Sequence, residues 1–384
     1  MRRIAVVTGT RAEYGILHPV MERIASSPAL ELAVIAAGMH LSPDYGLTVR
    51  EIERDKMPLA AKVDMLFSSD LPSAMAKGLG IGIYGMAQEV ERLKPDAVVI
   101  LGDRVEAFAG AIAGLFGGAV LAHIHGGEVT QGGFDEYMRH AITKLSHLHF
   151  AATPKSRERI VRLGENPDYV FHTGTPGLDA LQKYPRLSDE EISQRIGFPL
   201  PERYALIAQH PVSTRPHAAA AEIAATLEAF KRSGLPCFLM SPNADAGGRE
   251  MLAKIREYQK GDWLKTIVHV PRAVYCNLLR RCAVLAGNSS SGIIDSPAYG
   301  VPAIDIGDRQ AGRERGDNVI SAPPIQTEIE KAIDRALNDA EFLRKAWNTV
   351  NPYGDGKASE RIVEILETAD WERTKNEKRH AADL

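Results

Sequence analysis

The chain has 384 residues, of which 45% are hydrophobic and 25% are charged, and its formal net charge is −3. A chain of this length is typically divided into two domains, and this composition is typical of soluble globular proteins. Because charges of both signs are interspersed, the sequence offers no electrostatic surface for nucleic acid or for an anionic membrane. We expect neither as a partner.

The N-terminal stretch MRRIAVVTGT is predicted to be a first strand. Its apolar run is short and leads directly into Thr8, Gly9 and Thr10, unlike the longer apolar segment of a signal peptide. Nowhere does the sequence approach the run of about 18 apolar residues that a membrane-spanning helix needs. The sequence therefore predicts a cytoplasmic protein.

Short Val-, Ile- and Ala-rich runs alternate with longer amphipathic segments through the first half of the chain. The runs RIAVVTGT, LELAVIAAG, DAVVILGD, AVLAHIHGG, HLHFAAT and YVFHTGT predict strands, and helices are predicted over 15–26, 73–93, 104–116 and 135–146. This alternation indicates βαβ units and a parallel sheet with helices on both faces. Right-handed crossovers then place the carboxyl ends of the strands along one edge, where ligands usually bind.

The pattern relaxes between 178 and 203, where three prolines interrupt it, and we place the domain linker there. The second half repeats the scheme, with strands at RYALIAQHP, PCFLMSPN, KTIVHV, CAVLAGN and VPAIDIG and helices over 217–232, 247–259, 272–281, 290–299, 326–346 and 358–371. The expected fold class is α/β, with two doubly wound, Rossmann-like domains facing a cleft. We expect domains at 1–180 and 181–365, and a C-terminal helix or tail at 366–384 that packs back on the N-terminal domain.

One stretch of the second half combines two features that attract anions. After the run CAVLAG, the sequence NSSSG offers three consecutive hydroxyls where a helix is predicted to begin, flanked by Gly287 and Gly292. Backbone N–H groups at such a helix end bind anions, and glycine permits close approach. Arginines, which suit phosphate, follow the next strand at Arg309, Arg313 and Arg315. The alternative is an N-capped helix followed by a solvated basic loop.

Carboxylates follow the strands of the first half. Asp103 and Glu106 come after one strand and Glu128 after the next, while Asp135 and Arg139 lie four apart on one face of the following helix. Neighbouring carboxylates repel one another and can separate an acid from a base, as proton transfer requires. Alternatively, Asp135 and Arg139 form a helical ion pair, and Asp103 is a helix N-cap.

Polar residues also follow strands of the second half. His210 lies in QHPVST, Asn243 in SPNAD, and Asp295 about one helical turn after Gly292. The first two equally suit plain turns, but Asp295 could reach a sugar whose phosphates sit at the helix end. Anion donors in one domain and carboxylates in the other predict a phosphorylated sugar as substrate. The sequence contains no GxxxxGK[ST] and its opening lacks GxGxxG, which disfavours ATP and NAD.

The cysteines and histidines give little support to a disulfide or a metal site. The cysteines form no CxxC pair, and we expect buried, inert thiols at Cys237, Cys276 and Cys282. Histidines recur with a spacing of two at positions 123 and 125 and at positions 147 and 149, but without spaced third and fourth ligands. We predict no metal.

Several motifs together resemble the hydrolysing UDP-N-acetylglucosamine 2-epimerases, which feed the synthesis of sialic acid and related nonulosonic acids in bacteria. They are TGTRAEYG, ILGDRVEA, AHIHGGEVTQGGFDEYMRHAITKLSHLHF, QHP and GNSSSGIIDSPAYGVPAIDIGDRQAGRERGDNV, and they span about residues 8–319. The resemblance implies a glycosyltransferase-B type fold with UDP in the interdomain cleft, and no metal or redox cofactor. It also implies anti elimination of UDP to a 2-acetamidoglycal, followed by hydration to the 2-epimeric free sugar.

The resemblance assigns roles to individual residues. It places Asp103, Asp135 and Arg139 in the catalytic wall, with His210 in the cleft. The diphosphate would be held by Ser289, Ser290 and Gly292 with help from Arg11 and Arg313, and the ribose by Asp295. We add neighbouring residues as candidates: His125 and Glu128 for catalysis, and Glu106, Asn243, Ser291 and Arg309 for substrate binding. Which carboxylate is the base and which the acid does not follow from the sequence.

Three departures from the family pattern bear on function. Related reversible epimerases carry a lysine shortly after the opening arginine, whereas Ala12, Glu13 and Tyr14 stand here, which favours the hydrolysing branch. Some hydrolysing members have glutamate where this chain has His125, so either His125 or Glu128 takes that role. Position 295 is often Glu in the family and is Asp here.

The sequence leaves alternatives open for the substrate, the reaction and the oligomeric state. The His125 variant resembles members that act on the 2,4-diacetamido-2,4,6-trideoxy sugar of the legionaminic acid route. A reversible epimerase, a glycosyltransferase and a catalytically silent nucleotide-sugar binder are further alternatives, although the carboxylates argue against the binder. Family members tend to be homo-oligomers, either dimers or tetramers.

Overall fold

The computed structural model describes residues 1–67, 72–129, 134–212, 215–242, 247–268 and 270–378. The described chain forms two parallel β-sheets. The first has seven strands in the order β3-β2-β1-β4-β5-β6-β7: β1 (Arg2–Thr8), β2 (Leu30–Ala37), β3 (Leu59–Val63), β4 (Ala97–Leu101), β5 (Val120–Ile124), β6 (Leu148–Ala151) and β7 (Val170–His172). The second has six in the order β10-β9-β8-β11-β12-β13: β8 (Ala205–Ala208), β9 (Cys237–Met240), β10 (Leu264–Ile267), β11 (Val284–Gly287), β12 (Ala303–Ile306) and β13 (Val319–Ala322).

Helices connect the strands, as expected for parallel pairs. In the first half they are α1 (Arg11–Ser26), α2 (Val49–Arg54), α3 (Pro72–Leu93), α4 (Val105–Phe116), α5 (Asp135–Leu145), α6 (Pro154–Arg162) and α7 (Pro176–Lys183). They continue with α8 (Asp189–Ile196), α9 (Ala219–Ser233), α10 (Gly248–Tyr258), α11 (Arg272–Arg281), α12 (Ser291–Ile294), α13 (Gln326–Asn338), α14 (Ala340–Trp347), α15 (Ala358–Thr368) and α16 (Trp371–Asn376).

The chain divides into two compact units, one around each sheet. Unit 1 contains residues 1–128, 134–182 and 353–384, and unit 2 contains residues 129–133 and 183–352. The return to unit 1 at residue 353 differs from the expected boundary at 365. Its physical reason is the packing of α15, whose first N–H groups at Ala358 and Ser359 are capped by the Asp179 carboxylate, 3.1 and 2.7 Å away.

Each sheet is buried on both faces. In β1, Ile4 and Val6 pack in one apolar cluster of unit 1 while Ala5 and Val7 pack in the other. Successive side chains of a strand point to opposite faces, so this division shows that helices cover both sides of the sheet. In unit 2, β8, β9 and β11 contribute to a third cluster with α9, α10 and α13.

The C-terminal segment is anchored to unit 1 by contacts with the buried Glu165 and by a cation–π contact. The Glu165 carboxylate accepts hydrogen bonds from Lys144 Nζ at 2.6 Å and Lys378 Nζ at 2.7 Å, and lies 3.2 Å from His149 Nε2. Arg2 covers the ring of Trp371 at 4.4 Å from its centroid. Burial opposes ionisation of Glu165, but the hydrogen bonds from His149, Lys144 and Lys378 outweigh it and lower its pKa to about 2.

Several predicted elements differ from the structure at their ends or in kind. The helix predicted over 290–299 is only the four-residue α12 followed by a 3₁₀ turn containing Pro297, which has no N–H to continue an α-helix. The helix predicted over 326–346 breaks at Asp339, which caps α14. The linker region contains α8, which begins with a capping box formed by Ser188 and Glu191. Strands β3 and β13 were missed.

Candidate functional site

The loops that follow β4 and β5 lie side by side in unit 1. The two strands are paired in parallel, with Leu101 beside Ile124 at their carboxyl ends. Each loop leaves its strand through a left-handed residue, Gly102 with φ 70° after β4 and His125 with φ 66° after β5. Asp103 and Glu128, which sequence analysis placed after neighbouring strands, are therefore brought to one edge of the sheet.

Arg139 of α5 joins these loops. Its side chain is only 2% exposed and forms an ion pair with Asp103. Its Nη1 also donates to the Glu128 carbonyl at 2.9 Å and to the Glu136 carboxylate at 2.6 Å. Burial would lower the Arg139 pKa, but the Asp103 carboxylate raises it above its ordinary value. The guanidinium therefore stays charged and fixes Asp103.

His125 is held at both ring nitrogens. Nδ1 lies 3.1 Å from Glu128 Oε1, and Nε2 lies 2.8 Å from Thr175 Oγ1. The distance from Nε2 to Thr175 Oγ1 is that of a hydrogen bond between the imidazole and the hydroxyl. His125 and Glu128 thus lie within ion-pair distance of one another.

A second charge cluster, made of two buried carboxylates and the half-buried Arg104, lies beside Asp103. Arg104 Nε is 3.3 Å from Glu106 Oε2 and 4.0 Å from Glu13 Oε2. The Glu13 carboxylate accepts the Gly9 N–H at 2.9 Å. Burial raises the Glu13 pKa to about 7, with Arg104 opposing that rise and Glu106 adding to it.

Buried neutral histidines support the same sheet edge. His123 Nε2 lies 2.7 Å from the Gly102 carbonyl, and His40 Nε2 lies 3.0 Å from Thr8 Oγ1. Burial lowers the pKa of His123 to about 3 and that of His40 to about 4, so both are uncharged at neutral pH.

Two predicted residues of unit 1 occupy element ends. Asp135 is the first residue of α5 and is exposed. Arg11 is the first residue of α1 and forms an ion pair with Glu51 at 3.0 Å.

In unit 2, the loops after β8 and β11 are pinned together by one side chain. Asn288, which is 1% exposed, accepts the His210 N–H at 2.8 Å and donates to the His210 carbonyl at 2.8 Å. Gly287 has φ 128°, and a Cβ there would collide with the Ala208 carbonyl, so this position requires glycine. At Gly292 an added Cβ would meet only ordinary contacts, the nearest at 3.8 Å.

The serine turn offers fewer backbone N–H groups to a ligand than the helix end that the sequence predicted. Ser289 N–H already donates to the Ala208 carbonyl at 3.1 Å, and Ser291 N–H lies 3.4 Å from Ser289 Oγ. Ser290 N–H forms no hydrogen bond with the described residues and is the remaining backbone donor of this turn. Ser289 and Ser290 are half-buried residues.

Asp295 is buried and held by two donors. Ser291 Oγ donates to Asp295 Oδ2 at 2.5 Å, and Arg272 Nη2 donates to the same oxygen at 2.8 Å. Within the described part of the chain, both hydrogen bonds that the carboxylate accepts therefore go to Oδ2. Sequence analysis missed Arg272 because its partner is 23 residues away.

The three arginines of the predicted cluster are all half-buried, and they make different contacts. Arg315 pairs with the buried Asp305 at 2.7 Å and donates to Ser321 Oγ. Arg309 Nη1 donates to the Asn288 carbonyl at 3.1 Å, which ties the cluster to the serine turn. Arg313 is half-buried and adds to the positive charge around Asp305. Burial raises the Asp305 pKa, and these arginines oppose that rise.

The structure thus assembles two groups of predicted residues, one in each unit. Asp103, Glu128, Arg139 and His125 are in contact in unit 1, and Asn288 links His210 to the serine turn in unit 2. Asn243 lies outside the described residues. Within the described ranges, no three His, Cys, Asp or Glu side chains are grouped as a metal site would require, and no helix is long and apolar enough to cross a bilayer. The three cysteines are free and buried, as predicted.

Comparison with known sequences identifies relatives that match the chain over nearly its whole length. A family profile described as UDP-N-acetylglucosamine 2-epimerase matches residues 22–367. The UDP-N,N'-diacetylbacillosamine 2-epimerase (hydrolyzing) of Legionella pneumophila is 36% identical over 368 residues, covering 96% of each chain. The UDP-N-acetylglucosamine 2-epimerase of Neisseria meningitidis is 33% identical over 380 residues, covering 99% of this chain and 98% of the relative.

Solved structures show the same fold. A crystal structure of UDP-GlcNAc 2-epimerase from Neisseria meningitidis bound to UDP-GlcNAc superposes with a TM-score of 0.83 at 18% identity, covering 96% of this chain and 100% of that one. The predicted fold class, two doubly wound Rossmann-like domains of the glycosyltransferase-B type, is confirmed by the two parallel sheets and this match.

Proposed function

The chain belongs to the UDP-N-acetylglucosamine 2-epimerase family, and we propose that it is a hydrolysing member. The family expected from the sequence motifs is confirmed. The proposed reaction converts UDP-N-acetylglucosamine and water into N-acetylmannosamine and UDP. The observation that carries the proposal is the contact of Asp103, Arg139 and Glu128 at the carboxyl edge of β4 and β5.

The reaction needs two proton transfers at the same carbon. In the elimination step a base removes the C2 proton, the C1–oxygen bond breaks, and UDP departs to leave a 2-acetamidoglycal. In the hydration step water supplies a hydroxyl to C1 and a proton is delivered to C2 from the opposite face, so that the free sugar has the inverted configuration. Carboxylates and a histidine at one sheet edge can serve as such a base and acid.

Unit 1 supplies these groups in the proposal. Asp103, fixed by Arg139, and the pair formed by His125 and Glu128 are the candidates for the base and the acid. Because Arg139 binds Asp103 and the Glu128 carbonyl together, it sets the spacing between the two candidates. Asp135, at the exposed start of α5, joins them as a third candidate.

Unit 2 supplies the UDP-binding groups in the proposal. Ser290 offers its N–H and hydroxyl to the diphosphate, together with Ser289 and the half-buried Arg313. Stabilising the departing diphosphate lowers the barrier to elimination. Ser291 and Arg272 both bind Oδ2 of Asp295, an arrangement that presents the other carboxylate oxygen, Oδ1, to the ribose hydroxyls.

Remaining site assignments follow the resemblance. His210, held by Asn288, borders the diphosphate, and Arg309 supports the serine turn through its bond to Asn288. Arg11, Glu106 and Asn243 complete the proposed substrate-binding set. The reaction requires no metal or redox cofactor in this proposal. The enzyme would serve the synthesis of sialic-type acids in the cytoplasm, as a homo-oligomer.

Two observations support the hydrolysing branch. Ala12, Glu13 and Tyr14 follow Arg11, where related reversible epimerases carry a lysine. In addition, the relative from Legionella pneumophila, 36% identical to this chain, is described as hydrolyzing.

A second substrate is favoured by His125 and by that same relative. The Legionella pneumophila protein is named for UDP-N,N'-diacetylbacillosamine, a 2,4-diacetamido-2,4,6-trideoxy sugar nucleotide. We propose this sugar nucleotide as the alternative substrate, with the same elimination and hydration.

The test compares both sugar nucleotides with purified protein in the presence of a chelator. We expect UDP and free 2-epimeric sugar to appear in equal amounts, and the larger kcat/KM identifies the substrate. Interconversion of the two UDP-sugars without release of UDP would instead establish a reversible epimerase. Release of UDP only when an acceptor sugar is added would establish a transferase.

A further inference from the structure

The cluster of Glu13, Arg104 and Glu106 has more negative charge than its single guanidinium can neutralise. Glu106 is 2% exposed and Glu13 is 8% exposed, so water screens neither carboxylate well. A buried carboxylate without a countercharge is costly, and a bound proton removes that cost. The pKa of Glu13, raised by burial to about 7, places this proton within the physiological range.

The charged groups that face Glu13 come from one loop and one helix. Arg104 and Asp103 lie in the loop after β4, and Glu106 lies in the first turn of α4. Arg104 favours the ionised form of Glu13, whereas Glu106 and Asp103 disfavour it. The Gly9 N–H also stabilises the ionised form. Ionisation of Glu13 therefore adds a negative charge beside Asp103.

The same cluster connects three loops mechanically. A Cβ at Gly9 would lie 2.6 Å from the Glu106 side chain, and a Cβ at Gly38 would collide with the Glu106 carboxylate. Glu106 thus fills a slot between the loops after β1 and β2, while Arg104 ties the loop after β4 to it. Because Arg104 follows Asp103 directly in the chain, its contacts with Glu106 and Glu13 help to hold the loop that carries Asp103.

We propose that Glu13 and Arg104 are positioning residues for Asp103, and that the protonated form of Glu13 is the active one. This inference rests on the proposed function, since it concerns the support of the same proton-transfer group. In the protonated state Arg104 pairs with Glu106 alone. In the ionised state Glu13 competes for Arg104 and repels both Asp103 and the anionic substrate.

A simpler reading is that Glu13 only caps α1 through Gly9. That role predicts a loss of stability with an unchanged pH profile, whereas a positioning role predicts a changed pH profile. Glu13→Gln separates the two, because an amide keeps the acceptor for Gly9 but cannot ionise.

The experiment measures UDP release across neutral pH for the wild type, Glu13→Gln, Glu13→Ala and, as a control on the same helix, Glu22→Gln. We expect the wild-type and Glu22→Gln kcat/KM to fall as pH rises through about 7, following ionisation of Glu13. Glu13→Gln should keep activity within a few fold at low pH and lack this fall. Glu13→Ala should lose about 100-fold in kcat because Asp103 is misplaced.

Substitutions of Arg104 provide an independent test of the same inference. Arg104→Lys, which keeps the charge, should recover part of the kcat that Arg104→Ala loses. A Glu13→Gln profile that overlays the wild-type profile, or equal kcat losses in Arg104→Lys and Arg104→Ala, would overturn the inference. Absence of wild-type UDP release from either sugar nucleotide would instead reject the proposed function, so the two failures are distinguishable.

Discussion

Removing the buried guanidinium of Arg139 should destabilise unit 1, because it leaves the carboxylates around it uncompensated. Arg139→Met keeps much of the side-chain length but removes the charge, and it leaves the carboxylates of Asp103 and Glu136 without their cation. Breaking a buried ion pair from one side costs about 3–5 kcal/mol. The two carboxylates are 24% and 28% exposed, so partial hydration places the expected cost at the lower end, about 3 kcal/mol.

Hydrogen exchange in unit 1 measures this cost directly. A loss of about 3 kcal/mol should accelerate exchange of the core amides of β4 and β5 by about 100-fold. The matched control is Arg162→Met, which breaks an i,i+4 pair with Glu158 whose side chains are 77% and 57% exposed. Such exposed pairs contribute about 0.5 kcal/mol or less, so the control should exchange nearly as the wild type does.

A double substitution tests the pairing itself. Asp103→Asn combined with Arg139→Met should cost about 1–3 kcal/mol less than the sum of the two single substitutions, because the second change no longer leaves a buried charge behind. Equal exchange rates in Arg139→Met and Arg162→Met, or strict additivity in the double variant, would refute this account of the cluster.

Further substitutions test the phosphate side and the C-terminal anchor. Gly287→Ala should destabilise unit 2 by roughly 3 kcal/mol in urea unfolding, because the backbone conformation of Gly287 is strained for alanine. Gly80→Ala is the control, since Gly80 lies at an open position of α3, and it should stabilise unit 1 by about 0.5–1 kcal/mol. A similar effect of both substitutions would contradict the geometry. Asp295→Asn should raise the Kd for UDP by about tenfold in calorimetry through loss of a charged acceptor, and an unchanged Kd would remove Asp295 from the ribose site. Because the pKa of Glu165 is lowered in the folded protein, its ionised carboxylate stabilises the fold at pH values above 4.5, the ordinary pKa of the group. This stability is lost as the pH falls towards about 2. Glu165→Gln should therefore be less stable at neutral pH and show a flatter acid unfolding profile, and an unchanged slope would count against the anchor.

Periodicity and composition predicted the fold because the sheets are parallel and buried on both faces. Central strands are continuous apolar runs and are easily recognised. Strand β4 is an example, because its apolar run is followed directly by a glycine and an aspartate. The strands that were missed, β3 and β13, lie at sheet edges, where partial exposure mixes polar residues into the pattern. Helix α8 was not predicted because prolines on both sides of it are typical of a linker.

The candidate site was predictable to the level of strand ends. Asp103 and Glu128 follow adjacent strands, and topology alone brings them together. Pairings across long stretches of chain are not encoded locally, which is why the contact of Arg104 with Glu13, 91 positions apart, was not foreseen. At the serine turn, the sequence predicted more than the structure shows. Three hydroxyls predicted a regular helix start, but hydrogen bonds to the Ala208 carbonyl already use some of the backbone N–H groups of the turn.

The most direct test of the proposed reaction is to run it in D2O and follow the sugar by proton NMR. The account predicts free N-acetylmannosamine, or its 2,4-diacetamido analogue, carrying one deuterium at C2, with one equivalent of UDP released. Release of UDP with the original C2 proton retained in the sugar would contradict it, because hydrolysis would then proceed without proton removal at C2.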